Sequence, residues 1–233
     1  MTNGNPCGMK AFILAAGRGE RMRPLTDHTP KPLLCAGGKP LIVWHLERLA
    51  ASGFRDVVIN LAHLGEQIEA ALGDGSHFGL SIRYSPEPPG ALETAGGIAK
   101  ALPLLGREPF LVVNGDVWCD WDFKRAHALS NRHAHLVFVD NPPQHAGGDF
   151  CLDGETVRYA SSGIGPTLTY AGTGVFSPDF FAGVAVGSVI KMRPLLDAGI
   201  AQGIITGERH SGRWVDVGTP ERLIELDHEL KPK

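Results

Sequence analysis

The stretch "LAAGRGERMRPLTDHTPKPL", Leu14 to Leu33, decides how the chain is read. It places Gly17 and Gly19 among Arg18, Arg21, Arg23 and Lys31, and it is broken by Pro24, Pro30 and Pro32. The run before it, "KAFILAAG", is short and apolar and ends in glycine, as a buried strand does. A glycine loop after such a strand lets a ligand approach the backbone, whose N–H groups hold anionic oxygens. The spacing departs from the dinucleotide fingerprint GxGxxG, because the third position is Met22 and Pro24 stops a helix from continuing. No Gly-Lys-Ser/Thr follows, so the loop is not a P-loop either. It reads as a basic loop at the C-terminal end of a sheet strand, where open α/β sheets bind ligands.

Working outward, strands and helices alternate. "KPLIVWHLERLAASG" carries Pro40 at a helix start, Gly53 past its end and an apolar stripe between them. "FRDVVIN", "LSIRYS", "PFLVVNGD" and "HLVFVD" read as further strands, and "TAGGIAKALPLL" as a helix opened by Thr94. "DFCLDGETVRYA" reads as a hairpin turning at Asp153-Gly154. "TLTYAGTGVFS" follows as a strand and "VIKMRPLLDAGIAQG" as a helix, which Pro194 interrupts unless it sits near the first turn. "RWVDVGTPERLIELDHEL" closes the chain as strand, turn and helix, with Thr219 as N-cap and Pro220 at N1. The alternation predicts an α/β fold with a mostly parallel mixed sheet between two helical layers. No linker or repeat divides it. Residues 1–9 read as a disordered leader and 10–233 as a single domain.

The chain has 233 residues, 43% of them hydrophobic and 20% charged, with net charge −3, which suits an ordinary globular core and argues against bulk binding to nucleic acid. Its four cysteines, Cys7, Cys35, Cys119 and Cys151, show no metal-ligand spacing and read as reduced thiols of a cytoplasmic protein. No signal peptide and no apolar run of membrane length is present, so no membrane partner is expected. The ten histidines are scattered, and none is assigned a role.

The opening stretch resembles the signature of the nucleotide-sugar pyrophosphorylases, or sugar-1-phosphate nucleotidylyltransferases, of pattern G-x-G-x-R-x-x-P-L-T…P-K-P. Gly17, Gly19, Arg21, Pro24, Leu25, Thr26, Pro30, Lys31 and Pro32 match it. "VNGD" and "WVDVGT" are also similar, and the likeness runs from about Lys10 to Leu230. It implies a three-layer α/β/α Rossmann-like nucleotidyltransferase fold, with a nucleotide-binding half near 10–120 and a sugar-binding half near 121–220. It implies that Ala15, Ala16 and Gly17 cradle the nucleotide, that Gly19, Glu20 and Arg21 follow its phosphates, and that Lys31 meets the α-phosphate. Asn114 would stand beside them, and Arg21, Lys31 and Asp116 would be catalytic.

Asp116 and Asp216 each end a strand. Alone, either reads as a turn residue. Together, beside a phosphate loop, they read as a Mg²⁺ pair, and the resemblance assigns both to the metal. Glu93 and Gly96 in "PEPPGALETAGG" are the candidates to read the base, with helix packing as the other reading of Gly96. Asp149, Gly172 and Lys191 are the candidates on the sugar side. Asn60 and Asn141 read as turn residues.

The expected partners are therefore a nucleoside triphosphate and a sugar 1-phosphate, joined with loss of pyrophosphate. The chain lacks the "EKP" of the longer thymidylyltransferases and their C-terminal segment, which points to a monomer. Its short form, "LETAGG" and "GDF" resemble the subgroup that joins UTP to N-acetylmuramate 1-phosphate in peptidoglycan recycling. Lys191 or Arg193 would then pair with the lactyl carboxylate of that sugar. The competing readings are glucose or mannose 1-phosphate as substrate, a non-catalytic nucleotide-sensing subunit and, weakest, an NAD-dependent oxidoreductase.

Overall fold

The computed structural model describes residues 8–231. The expected leader lies outside the described residues except for Gly8 and Met9, and Met9 packs into the core. Cys7 also lies outside them.

Apolar alternation builds the sheet. In β1 (Lys10–Leu14) the side chains of Ala11 and Ile13 point to one face and Phe12 to the other. The same alternation splits β4 (Asp56–Leu61) and β6 (Phe110–Asn114), so each central strand feeds two cores. The first core is roofed by α1 (Leu41–Ala51) and α2 (Gly65–Leu72), through Ile42, Leu46, Leu49, Ile68 and Leu72. The second is roofed by α3 (Glu93–Leu105) and α4 (Met192–Ala201), through Ile98, Leu105, Leu196 and Ile200. This is the expected three-layer α/β/α arrangement.

The remaining elements are β2 (Cys35–Ala36), β3 (Lys39–Pro40), β5 (Ser81–Pro86), β7 (Val117–Cys119), β8 (Ala134–Val139), β9 (Phe150–Asp153), β10 (Thr156–Tyr159), β11 (Thr169–Phe176), β12 (Ile205–Arg209), β13 (Trp214–Asp216) and α5 (Pro220–Leu230). The nine-stranded main sheet has the order β5-β4-β1-β6-β11-β8-β12-β10-β9. Its pairings make every strand but β11 and β10 run one way, as a mostly parallel mixed sheet requires. The chain leaves β1 for β4 on one side and reaches β6 later on the other. The gap above β1 is therefore the topological switch point, where such sheets open a crevice.

Two small ladders lie outside the main sheet, β2 with β3 and β13 with β7. β13 pairs with β7 antiparallel, Asp216 opposite Val117, and the Trp214 indole Nε1 donates to the Ala171 carbonyl of β11 at 3.0 Å. Helix α5 then packs Leu223 and Leu226 against Met22, Leu34 and Leu41. Thr219 caps α5 and Pro220 opens it, as expected. Three local readings differ. The hairpin turn falls on Gly154-Glu155, because Asp153 pairs with Thr156. Helix α3 starts at Glu93, so Thr94 is not its cap. The Ile190 carbonyl accepts from the Ala95 and Gly96 N–H groups instead, at 3.0 and 3.2 Å. Asn60 is not a turn residue: it is buried inside β4.

Candidate active site

After β1 the chain makes three short 3₁₀ turns, Glu20–Met22, Leu25–Asp27 and Lys31–Leu33. The prolines rule out a continuous helix, and the turns wrap the loop back over the ends of β1 and β6. Gly19 sits at φ +69°, and its carbonyl accepts from the Thr26 hydroxyl at 2.9 Å. A Cβ on Gly19 would lie 3.3 Å from Lys31 Cβ. A bare glycine therefore lets the Lys31 stem run beneath the loop. The Lys31 side chain is only 7% exposed, and its Nζ lies 2.6 Å from Asp116 Oδ2. An ammonium so buried needs a counter-charge, and Asp116 supplies it.

A cleft of about 450 Å³ opens here. Ala15, Ala16, Gly17, Gly19, Glu20, Arg21, Lys31, Glu93, Asn114 and Asp116, all expected from the sequence, line it. The strand ends supply Asn60 and Asn114, the polar residues that close the apolar runs of β4 and β6 on either side of β1.

The basic loop is less uniformly cationic toward the cleft than its sequence suggests. Arg23 pairs with Asp27 at 2.7 Å, and Arg18 pairs with Glu20 at 3.0 Å, both with more than half of the arginine exposed. Among the described residues, Arg21 and Lys31 are the cations that line the cleft, against the carboxylates of Glu20, Glu87, Glu93 and Asp116.

Asp216 meets Asp116 through the ribbon: the Val217 N–H donates to the Asp116 carbonyl at 3.0 Å, beside the Asp216–Val117 pair. Arg222 Nη1 lies 2.6 Å from Asp216 Oδ2. Between these groups sits Gly218, where a Cβ would stand 3.0 Å from each of Arg21 Nη2, Arg222 Nη2 and Asp216 Oδ2. "VDVGT" thus needs its glycine to leave room for the Arg21 guanidinium, from the loop, next to the Arg222–Asp216 ion pair. Asp116 lines the cleft with the cationic turn, whereas Asp216 is joined to it through the ribbon backbone and is not among the lining residues; each acid faces a cation.

Sequence reasoning missed a polar chain in the wall of the cleft. Asn60 Oδ1 accepts from the Ala15 N–H at 2.7 Å, and Asn60 Nδ2 donates to Glu87 Oε1 at 2.7 Å. Glu87 Oε2 then accepts from the Leu92 N–H at 2.7 Å. This chain fixes the first residue of the phosphate loop to the entrance of α3. The available signal was the shared form of "VVIN" and "VVNGD", a polar residue ending an apolar strand. Arg222 and His45 were missed as well, and nothing in their local sequence marks them.

Other candidates fall elsewhere. Gly96 does not line the cleft: a Cβ there would lie 2.1 Å from the Ser188 carbonyl oxygen, so this glycine serves the packing of α3. Gly172 stands against Asn114, where a Cβ would lie 2.8 Å from its carboxamide, one residue removed from the lining. Asp149 is tied to backbone, accepting from the Tyr170 N–H at 2.8 Å, with His145 Nε2 at 3.0 Å from its other oxygen. Lys191 is exposed at the N-cap of α4, next to the carbonyl that caps α3. Arg193 lies along its own helix, donating to Asp197 at 2.8 Å. Asn141 bonds Thr167 and Thr169 and holds its own loop.

Comparison with known proteins identifies the family and the fold. The Nucleotidyl transferase family profile matches residues 10–150. The N-acetylmuramate alpha-1-phosphate uridylyltransferase of Neisseria meningitidis is 56% identical, over 93% of this chain and 96% of that protein. Its namesake in Caulobacter vibrioides is 34% identical, over 94% of this chain and 96% of that protein. A crystal structure of HddC from Yersinia pseudotuberculosis, complexed with GMP-PN, superposes with a TM-score of 0.77 at 20% identity, covering 96% of this chain and all of that one. That likeness shows the fold. Among the described residues, no helix is long and apolar enough to cross a membrane.

Proposed function

Since the chain belongs to the nucleotidyl transferase family, we propose that it transfers UMP from UTP to a sugar 1-phosphate, N-acetylmuramate 1-phosphate first among them, and releases pyrophosphate. The observation that carries the reaction is the buried Lys31 ammonium, 2.6 Å from Asp116, on a cleft framed by Gly17 and Gly19. The sugar is carried by the 56% identity to the Neisseria protein.

The sugar-phosphate oxygen attacks the α-phosphorus, and the bond to the pyrophosphate oxygen breaks. The nucleophile is already anionic near neutral pH, so no general base is required. The barrier is repulsion between anions and charge growth on the leaving group. Catalysis is then positioning and electrostatics. Lys31 holds the α-phosphate region, Arg21 the outer phosphates, and the Ala15–Gly17 backbone the nucleotide. Glu93 at the entrance of α3 faces the base. On the sugar side the reading keeps Asp149, Gly172 and Lys191 as candidates, with Gly172 nearest the lining.

The charge balance supports a metal requirement. Two cations face four carboxylates along the cleft, a poor receptor for a triphosphate by itself. Asp116 and Asp216 offer the hard oxygen donors that Mg²⁺ takes together with substrate phosphates and water, and the pairing of each with a cation supports this reading. Mg²⁺ bound there would neutralise phosphate oxygens. Lys31 and Arg222 would then turn from their carboxylates toward substrate. Cytoplasmic work in cell-wall recycling belongs to the same proposal.

The test is a matrix of nucleoside triphosphates against sugar 1-phosphates, read by pyrophosphate release. UTP with N-acetylmuramate 1-phosphate should give the highest kcat/KM. A maximum with glucose or mannose 1-phosphate would reassign the sugar. Tight nucleotide binding without pyrophosphate from any pair would replace the enzyme by a sensor.

A further inference from the structure

Away from the cleft, three side chains meet at the far end of the β7–β13 ribbon. Cys119 closes β7, Asp120 is the next residue and His210 follows β12. Along a continuing strand, adjacent side chains would point to opposite faces. Here β7 stops at Cys119. The Cys119 sulfur, an Asp120 carboxylate oxygen and a His210 ring nitrogen nevertheless lie within 4.8 Å of one another.

The group is built into the backbone. The Asp120 N–H donates to the Arg213 carbonyl at 3.0 Å, and the His210 N–H to the Phe138 carbonyl at 2.7 Å. Asp120 Oδ1 lies 2.6 Å from His210 Nε2. The loop from 210 to 213 closes over the pair through Gly212, where a Cβ would stand 2.3 Å from Asp120 Oδ1 and 2.6 Å from His210 Nε2. Any other residue at 212 would fill that space.

We propose that Cys119, Asp120 and His210 form a binding site for a borderline-soft divalent cation, Zn²⁺ in the first place, separate from the Mg²⁺ site of the cleft. One sulfur, one imidazole nitrogen and one carboxylate oxygen make a three-ligand Zn²⁺ set, with a water left as the fourth ligand. Bond lengths of about 2.0–2.3 Å put ligand atoms roughly 3–4 Å apart, so the group must shift by about an ångström. Mg²⁺ prefers oxygen and does not compete for the thiolate.

Burial pushes the Cys119 thiol up to about 11, so it stays protonated without an ion. Coordination releases that proton to solvent. Arg48 is the adverse charge, since it donates to the Cys119 carbonyl; Asp120 and Asp122 face it and offset it. Trp214 pairs with Cys119 on the ribbon that carries Asp216 opposite Val117. An ion at this end would clamp β7 to the loop after β12 and stiffen the ribbon that begins just after Asp116 and ends at Asp216.

Co²⁺ is the probe, because a thiolate bound to cobalt gives a near-ultraviolet charge-transfer band and the cleft carboxylates give none. One equivalent of Co²⁺ should produce that band in the wild-type chain, and Zn²⁺ should displace it. Cys119→Ser should abolish it, Cys35→Ser should keep it, and His210→Gln should weaken binding by roughly 100-fold, no less than losing an outer partner does. If Cys119→Ser fails to fold, His210→Gln decides: Zn²⁺ should raise the Tm of wild type and leave that of His210→Gln unchanged. No band, a band that survives Cys119→Ser, or equal Zn²⁺ shifts in wild type and His210→Gln would each overturn the site.

Discussion

His45 sits on the inner face of α1, 2% exposed, with its Nδ1 lacking any hydrogen-bond partner. Burial, and after it the neighbouring Arg48 charge, drive its pKa down from 6.5 to about 4, against smaller upward pulls from Asp116 and the Val117 carbonyl. The ring is therefore neutral in the folded protein at pH 7, while the unfolded chain protonates it below about 6.5. Between those two values the unfolded state binds one more proton, so stability falls as pH falls. Each pH unit in that window is worth about 1.4 kcal/mol, so lowering the pH from 7 to 5 removes about 2 kcal/mol through this residue alone. Below about pH 4 the ring is charged in both states, and the loss stops. Urea unfolding at pH 7, 6 and 5, for wild type and His45→Gln, measures it. Glutamine keeps a donor for Val117 but cannot titrate. The variant will be less stable at pH 7, yet its stability should fall less steeply toward pH 5, by about 1 kcal/mol per unit. Parallel curves for the two proteins would refute the reasoning, whatever their absolute stabilities.

Lys31→Ala and Asp116→Ala should each lower kcat by roughly 10²–10³-fold, about 3–4 kcal/mol of transition-state stabilisation, with circular dichroism unchanged; turnover within a few-fold of wild type would remove that residue from the chemistry. Asp216→Asn should raise the Mg²⁺ concentration needed for half-maximal pyrophosphate release, and chelation should stop wild-type turnover reversibly; an unchanged Mg²⁺ dependence would take Asp216 out of the metal site. Asn60→Ala leaves the Ala15 N–H and the Glu87 carboxylate short of a partner, and should cost about 1–3 kcal/mol in urea unfolding while raising KM for the triphosphate. Wild-type values for both would show that water replaces the amide.

What the sequence makes legible follows range. The short apolar runs in "KAFIL" and "PFLVVNGD" are read from neighbouring residues, and the strands fall where they put them. Thr219-Pro220 caps its own helix for the same reason. Thr94 fails because the donors at the start of α3 are satisfied by Ile190, nearly a hundred residues away. Gly96 fails likewise: a glycine that admits a ligand and one that admits the Ser188 carbonyl are identical in sequence, and only the neighbour distinguishes them. Asn60, Glu87 and Arg222 act through partners brought up by the sheet topology, which no local pattern encodes.

The same distinction changes what the opening motif means. Counted in sequence, four basic residues suggest a loop that attracts a triphosphate by charge. Folded, Arg18 and Arg23 are spent on Glu20 and Asp27, and the cleft itself carries more carboxylates than cations. The loop's own contribution is then chiefly backbone shape: Gly19 bare over the Lys31 stem, Ala15 held by Asn60, and Arg21 brought against Gly218. On the proposed function, net attraction for phosphate would arrive with a cation held by Asp116 and Asp216. Triphosphate affinity in this cleft should accordingly depend more steeply on Mg²⁺ than on removing either exposed arginine.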